Sequence, residues 1–98
     1  MMPTAATVRV HISVHGRVQG VGFRAYVQMA AVKLGVTGWV RNVGWNEVEC
    51  VGEGAKPQLE QFVEAVKRGP SVSRVDEAKV EWETSTGEFR SFEMRSSR

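Results

Sequence analysis

The sequence predicts an α+β sandwich in which two helices cover one face of a mainly antiparallel sheet. Three observations predict it: an alternating strand pattern leads directly into a helical pattern, a second helical pattern follows two strand-like segments, and further strand-like segments come last. The resulting β-α-β-β-α-β order, with a short β addition at the end, is typical of the split β-α-β, ferredoxin-like arrangement.

The first strand, first helix and second strand are read from hydrophobic spacing. Apolar and polar residues alternate from Val8 to His15, as in a half-buried strand. Apolar residues then recur at helical spacing from Phe23 to Leu34, and Gly35 stands where a C-terminal glycine cap belongs. A second strand is predicted from about Val36 to Val43.

A tight hairpin and a second helix follow. Gly44-Trp45-Asn46 forms the connection, in which Gly44 or Asn46 is expected to take a positive φ. The third strand runs from Glu47 to about Gly52, and the second helix begins near Lys56-Pro57 with proline in its first turn. Gly69-Pro70 ends that helix.

The last segments complete the sheet. Alternation through Ala78, Val80 and Trp82 predicts a fourth strand, and Phe89, Phe92 and Met94 indicate a short final strand after a turn near Gly87. We expect one domain over residues 1–98 with an ordered core at about 7–95, so that residues 1–6 and 96–98 fray.

Composition narrows the classes of function. Thirteen Lys+Arg against eleven Asp+Glu give a net charge of +2, too weak to favour duplex DNA or a membrane surface. No apolar run approaches the roughly 20 residues that cross a bilayer, and the first residues lack the pattern of a secretory signal. We therefore expect a folded, soluble protein without nucleic-acid or membrane partners.

The cysteine and histidine content speaks against disulfide and metal chemistry. Cys50 is the single cysteine and is predicted to be a small buried side chain in a chain that resides in the reducing cytoplasm. His11 and His15 lie four apart on one strand, hence about 13 Å apart, which is too far to share a metal ion. Both are predicted to be solvated, and no metal site is expected.

The segment from Gly16 to Arg24, G-R-V-Q-G-V-G-F-R, is the most informative stretch of the chain. Its glycines let backbone N–H groups turn toward one point, and the start of the following helix adds partial positive charge. This arrangement predicts an anion cradle whose usual guest is phosphate. Arg24 adds a planar, charged fork that suits two phosphate oxygens.

A second polar residue is expected at the same place. Asn42 shares a strand face with Val36 and Val40, the face that the helices cover. In a split β-α-β unit the two strands that flank the helix run parallel, so their C-terminal ends lie at one edge of the sheet. The amide of Asn42 is therefore predicted to reach the mouth of the cradle.

An anion cradle, a guanidinium and a carboxamide contain no obvious general base. Asparagine can nevertheless donate to and accept from one water molecule. The set therefore suits hydrolysis of a reactive substrate that needs holding, charge neutralisation and an oriented water.

These motifs resemble the acylphosphatases, small enzymes that hydrolyse a carboxyl–phosphate anhydride to carboxylate and phosphate. The first family signature is matched at Gly16, Val18, Gln19, Gly20, Val21, Gly22, Phe23 and Arg24, and the second at Gly38-Trp39-Val40-Arg41-Asn42, followed by Val48-Glu49 and Gly54. The similarity covers about Val8 to Met94.

The resemblance implies roles for particular residues. Arg24 would bind the phosphate together with backbone N–H groups of the loop Gln19, Gly20, Val21, Gly22, Phe23 and Arg24, and Asn42 would orient the attacking water. The substrate would be a small acyl phosphate and inorganic phosphate a product, with no metal or organic cofactor. We expect a cytoplasmic enzyme that acts as a monomer.

One departure from the family pattern concerns the hairpin. Family members often carry a glycine-containing pair where this chain has Trp45-Asn46. Asn46 tolerates the left-handed region, so a tight turn is expected to survive. Any displacement of Asn42 would affect turnover before phosphate binding.

Two alternatives stay open at this point. A noncatalytic phosphate- or RNA-binding module would use Arg9, Trp39 and Arg41 on the open face of the sheet to stack bases, although the aromatic pattern of RNA-binding relatives is missing. A component of a larger acyl-phosphate enzyme is the third interpretation, which the lack of further domains in these 98 residues weakens.

Overall fold

The computed structural model describes residues 7–98, and the predicted fraying of residues 1–6 lies outside that range. Five strands and two helices follow one another as β1 (Thr7–Arg17), α1 (Phe23–Leu34), β2 (Thr37–Val43), β3 (Glu47–Ala55), α2 (Lys56–Arg68), β4 (Arg74–Thr84) and β5 (Phe92–Met94). This is the predicted order. β3 and β4 extend a few residues beyond their predicted patterns because both pair with the long strand β1.

The sheet has the strand order β4-β1-β3-β2-β5. β3 is antiparallel to both β1 and β2, so β1 and β2 run in the same direction on either side of it. β5 pairs with β2 in parallel. The α+β ferredoxin-like prediction is confirmed, and the C-terminal ends of β1 and β2 lie at one edge of the sheet.

The core lies between the sheet and the two helices. Alternate residues of β1 are buried, as are one face of α1 and one face of α2; the buried set includes Val10, Ile12, Val14, Phe23, Val27, Ala31, Leu59, Phe62, Val63 and Val66. Cys50 is fully buried among them, as predicted. Burial, together with the nearby negative charge of Glu49, raises the pKa of the Cys50 thiol far above its ordinary range, which makes the thiol unreactive.

The close approach of β2 and β3 depends on Gly38. Its φ is 144°, and a Cβ there would lie 1.9 Å from the carbonyl oxygen of Val51. We expect Gly38→Ala to lower the free energy of unfolding by about 3 kcal/mol, because a backbone atom must move and the new side chain is strained. Urea unfolding measures this. Gly54→Ala is the matched control, since its Cβ would meet nothing nearer than 3.7 Å; equal losses in both variants would contradict the prediction.

In the turn between β2 and β3, the residue with positive φ is Gly44 and not Asn46. Gly44 has φ 58°, and within residues 7–98 the positive φ values all belong to glycines. Glycine takes this conformation at no steric cost, whereas asparagine does not escape the Cβ penalty. The carbonyl of Asn46 instead accepts a hydrogen bond from the N–H of Gly16 at 3.0 Å, which ties the hairpin to β1.

Residues 96–98 were expected to fray, yet the backbone of Arg98 is hydrogen-bonded to β2 and to the turn after it. The N–H of Arg95 donates to the carbonyl of Val40 and that of Arg98 to the carbonyl of Asn42, both at 2.8 Å. The N–H of Gly44 in turn donates to the carbonyl of Arg98 at 3.0 Å. These bonds continue the pairing of β5 along β2, because the free edge of β2 offers backbone groups that need partners.

The prediction that His11 and His15 are solvated surface residues needs correction, because each lies against a carboxylate. Both are half-buried on the open face of the sheet. Nε2 of His11 lies 2.6 Å from a carboxylate oxygen of Glu49, and Nε2 of His15 lies 3.1 Å from one of Glu47. β1 is an inner strand, so acidic side chains of β3 reach across to cover them.

A second feature of the open face is the buried carboxylate of Glu53, only 5% exposed. It accepts hydrogen bonds from Nε of Arg9 at 2.7 Å and from the backbone N–H groups of Thr86 at 2.8 Å and Gly87 at 2.9 Å. These bonds hold the segment between β4 and β5 against the sheet. Burial raises the pKa of Glu53, but the hydrogen bonds from Thr86, Arg9 and Gly87 outweigh it and keep the pKa below its ordinary value of 4.5.

A lowered pKa in the folded state has a definite consequence for stability. Ionised Glu53 contributes fully to the free energy of unfolding above pH 4.5, its ordinary pKa. That contribution is lost as the pH falls through the lower pKa that Glu53 has in the folded protein. We expect Glu53→Gln to lower the free energy of unfolding by about 2 kcal/mol at neutral pH and to flatten its dependence on pH in the acid range. Urea unfolding from neutral pH into that range tests this, with Glu60→Gln on the exposed side of α2 as the control. An unchanged pH dependence in Glu53→Gln would contradict it.

Candidate active site

The loop Val18–Gly22 joins β1 to α1 and is shaped by two glycines in the left-handed region. Gly20 has φ 73° and Gly22, the N-cap residue of α1, has φ 76°. No side chain caps this helix. The conformation leaves the start of α1 open, with the positive end of its dipole unscreened by any capping oxygen.

Backbone N–H groups at this helix start are free to bind a ligand. The first N–H to bond within the helix is that of Tyr26, which donates to the carbonyl of Gly22 at 3.0 Å. Among residues 7–98, no acceptor takes a hydrogen bond from the N–H groups of residues 20–25. An anion is the natural partner for several unpaired donors of this kind.

A cavity of about 200 Å³ lies against this helix start. Its walls come from the loop, the first turn of α1, the end of β2 and β5; the lining residues are Val18, Gly20, Gly22, Phe23, Arg24, Ala25, Asn42 and Met94. The structure therefore brings Arg24 and Asn42 to one place, as the parallel course of β1 and β2 predicts. We call this cavity the cradle.

Arg24 stands in the first turn of α1 and is half-buried. One of its terminal nitrogens, Nη1, donates to the carbonyl of Arg95 at 3.1 Å. This contact holds the side chain along β5 while the other guanidinium N–H groups make no hydrogen bond with residues 7–98. The guanidinium of Arg24 is therefore held through Nη1, and its other N–H groups are available to a ligand.

Asn42 is anchored by its backbone and free at its side chain. It pairs with Val48 of β3, and its carbonyl accepts the N–H of Arg98. Its carboxamide has no hydrogen-bond partner within the described part of the chain. A half-buried amide with both functions unused is suited to hold a water molecule.

Two predicted loop residues, Gln19 and Val21, do not line the cradle. Nε2 of Gln19 lies 3.2, 3.1 and 2.9 Å from the carbonyl oxygens of Val43, Gly44 and Glu47. The Gln19 side chain thus fastens the loop to the hairpin that follows Asn42. Val21 is partly buried against the core.

Sequence reasoning missed this use of Gln19, as well as Met94 and the carbonyl of Arg95. The Gln19 contact joins residues about 25 positions apart, and the β5 contacts join residues 71 apart. The one signal in the sequence that could have indicated the Gln19 contacts is the presence of an amide side chain within the glycine-rich loop.

Over the described range 7–98, no carboxylate, imidazole or thiol lines the cradle. One group of side chains in residues 7–98 could hold a metal ion. It consists of His11, Glu81 and Glu83, whose ligand atoms lie within 4.8 Å of one another. These side chains belong to the open face of the sheet, on the side away from the helices. None of the three lines the cradle, to which the described residues contribute backbone donors, one guanidinium and one amide.

The geometry defines a class of protein: a split β-α-β domain with unpaired backbone donors at a helix start and a carboxamide beside them. Comparison with known proteins makes the class specific. The family model described as "Acylphosphatase" matches residues 10–94.

Individual relatives agree with the family match. The acylphosphatase of Syntrophotalea carbinolica is 44% identical over 88 residues, which cover 90% of this chain and 96% of that protein. The crystal structure of acylphosphatase from Bacillus subtilis superposes with a TM-score of 0.86 at 42% identity, covering 90% of this chain and 98% of that one. Full-length HypF, in a phosphate- and nucleotide-bound form, matches 99% of this chain with 13% of its own length, at a TM-score of 0.87 and 30% identity.

The chain belongs to the acylphosphatase family. It is an enzyme whose substrate is an acyl phosphate and whose product is phosphate, as the sequence signatures predict. The alternative of a noncatalytic module is not favoured. Within residues 7–98, no helix combines the length and apolar character required to span a bilayer.

Proposed function

We propose that the chain hydrolyses small acyl phosphates by holding the phosphoryl group in the cradle while Asn42 aims the attacking water. The observation that carries the proposal is that unpaired backbone donors, a guanidinium and an unbonded amide line one cavity. Among residues 7–98 nothing else in that lining is ionisable, which supports assigning the catalysis to these groups.

Phosphate binding is assigned to Arg24 and the N–H groups of residues 20–25. The negative charge of the phosphoryl oxygens meets the positive end of α1 and a guanidinium that is held in place by the Arg95 carbonyl. Phosphoryl transfer needs mainly positioning and charge stabilisation, and preorganised donors provide both without reorganisation.

The water that Asn42 holds attacks phosphorus, and the bond from phosphorus to the bridging oxygen breaks. The acyl group leaves as a carboxylate, which is a stable anion and needs no proton. The water must lose a proton, and residues 7–98 place no side-chain base in the cradle lining. That proton passes to a phosphoryl oxygen of the substrate itself, so carboxylate and a protonated phosphate are the products.

The open face of the sheet argues against base stacking as the function. Its arginines are engaged: Arg9 pairs with Glu53 at 2.7 Å and Arg41 with Glu49 at 2.8 Å. The guanidinium of Arg41 also lies over the ring of Trp39, with its carbon 4.7 Å from the ring centroid. A ring already covered by cations beside several carboxylates is a poor platform for RNA.

The proposal extends to a metal-independent, cytoplasmic, monomeric enzyme. In the described part of the chain the cradle lining has a single side-chain oxygen ligand, the amide of Asn42, which supports catalysis without a metal. One free, buried cysteine suits a reducing compartment. Both assigned residues come from one chain, which supports the monomer.

The direct experiment is hydrolysis of benzoyl phosphate by the purified protein in the presence of EDTA. We expect full activity, because the groups assigned to the reaction need no ion. Competitive inhibition by inorganic phosphate is expected as well, since phosphate occupies the same cradle. Loss of activity in EDTA that added Mg²⁺ restores would overturn the metal-free proposal.

A further inference from the structure

A second cavity adjoins the cradle at the same edge of the sheet and has no assigned role. It measures about 380 Å³ and is bounded by the end of β1, the β2–β3 hairpin and the start of β4. Val18 lines both this cavity and the cradle, so the two are neighbours along the loop. We call it the side cavity.

The side cavity is built by an irregularity in the sheet. The register between β1 and β4 shifts at His15/Gly16, and Gly16 has φ 141°. A Cβ at Gly16 would lie 2.2 Å from the carbonyl oxygen of Arg74, so glycine permits the strands to approach here. Bulges of this kind redirect the side chains that follow them, in this case Arg17.

The side cavity has an uncompensated positive charge. After the register shift Arg17 stands opposite Arg74, which places two guanidinium groups on paired residues. Asp76 neutralises Arg74, with an oxygen 2.8 Å from Nε. Arg17 makes no ion pair with residues 7–98, so one cation stays available for an anionic ligand.

An aromatic ring lines the same cavity as Arg17. Trp45, at the tip of the hairpin, lines the side cavity and is 83% exposed. An exposed tryptophan ring offers a flat apolar surface to a ligand. The ring and Arg17 together suit a planar group that carries negative charge.

We propose that the side cavity receives the acyl end of the substrate and favours aromatic acyl groups that carry a carboxylate. This inference rests on the proposed function of the cradle. The cradle, at about 200 Å³, falls below the roughly 300–1,000 Å³ typical of whole small-molecule sites. It suits the phosphoryl end, and the adjoining cavity supplies the volume for the remainder of the molecule.

The test compares two substrates that differ by one carboxylate, benzoyl phosphate and 4-carboxybenzoyl phosphate. In the wild type we expect the higher kcat/KM for the carboxylated substrate. In Arg17→Gln, kcat/KM for 4-carboxybenzoyl phosphate divided by kcat/KM for benzoyl phosphate should fall about tenfold, because a charge-assisted hydrogen bond to the carboxylate is lost. Arg68→Gln, which removes an exposed arginine at the end of α2, should leave the ratio unchanged.

A second variant keeps the inference testable if Arg17 proves structurally important. Trp45→Ala should lower kcat/KM for benzoyl phosphate about fivefold relative to acetyl phosphate, which has no ring to stack. If the wild type hydrolyses no acyl phosphate, the proposed function itself fails. If hydrolysis is normal but neither variant shifts its substrate ratio, the side cavity has no role in acyl binding.

Discussion

Arg24→Gln is expected to lower kcat/KM for benzoyl phosphate by at least about 10³-fold, the scale on which a single arginine acts in phosphoryl transfer. The substitution removes the one cation that residues 7–98 contribute to the cradle lining, and with it the guanidinium assigned to the phosphoryl oxygens. Inorganic phosphate should bind correspondingly more weakly, because the same charge holds the product. Steady-state kinetics and the inhibition constant of phosphate measure the two effects.

The fold should survive this substitution. Arg24 makes one side-chain hydrogen bond, to the exposed carbonyl of Arg95, so the free energy of unfolding should change by no more than about 1 kcal/mol. Arg24→Lys separates charge from geometry: it keeps the charge but not the planar fork, and it should recover part of the phosphate affinity and little of the turnover. Wild-type phosphate affinity in Arg24→Gln would remove Arg24 from its assigned role.

Asn42→Ala is expected to raise the activation barrier by about two to four kcal/mol, comparable to the loss of one preorganised donor at a reacting centre. The effect should fall on kcat, while inhibition by inorganic phosphate stays close to that of the wild type. The reason is that the amide has no partner in residues 7–98 and is assigned to the water rather than to the phosphate.

The matched control for Asn42→Ala is Gln58→Ala, which truncates an exposed carboxamide in the first turn of α2. It should change neither kcat nor phosphate inhibition. Because Asn42 is anchored through its backbone, by its pairing with Val48 and the N–H of Arg98, truncation should not displace β2. Turnover near the wild-type level in Asn42→Ala would refute the oriented-water mechanism.

Local pattern was sufficient to predict the order of helices and strands, while the roles assigned to the site residues stay predictions. The alternation through Val8–His15 and the helical spacing through Phe23–Leu34 identify faces that the structure buries, because both patterns arise from the geometry of one segment. The glycines before Arg24 indicate a free helix start for the same reason. The parallel course of β1 and β2 follows from the order of elements and brings Asn42 to the cradle.

Contacts between different strands, and between a strand and a loop, could not be predicted from local sequence patterns. The histidines of β1 gain acidic partners only because β3 lies beside β1. Gln19 finds its three carbonyl acceptors only because the hairpin folds back against the loop. The pairing of Arg98 with Asn42 likewise needs β5 at the free edge of β2.

The amino-acid sequence by itself determined the fold class, the glycine-rich loop at the start of α1 and the meeting of Arg24 and Asn42 at one cavity, since these follow from spacing within single elements and from element order. Only the tertiary structure decided what surrounds them: the carbonyl that holds Arg24, the glutamine that fastens the loop, and the side cavity beside Trp45 and Arg17. The physical reason is that strand register and edge pairing bring together residues up to 71 positions apart, and no local pattern encodes those distances.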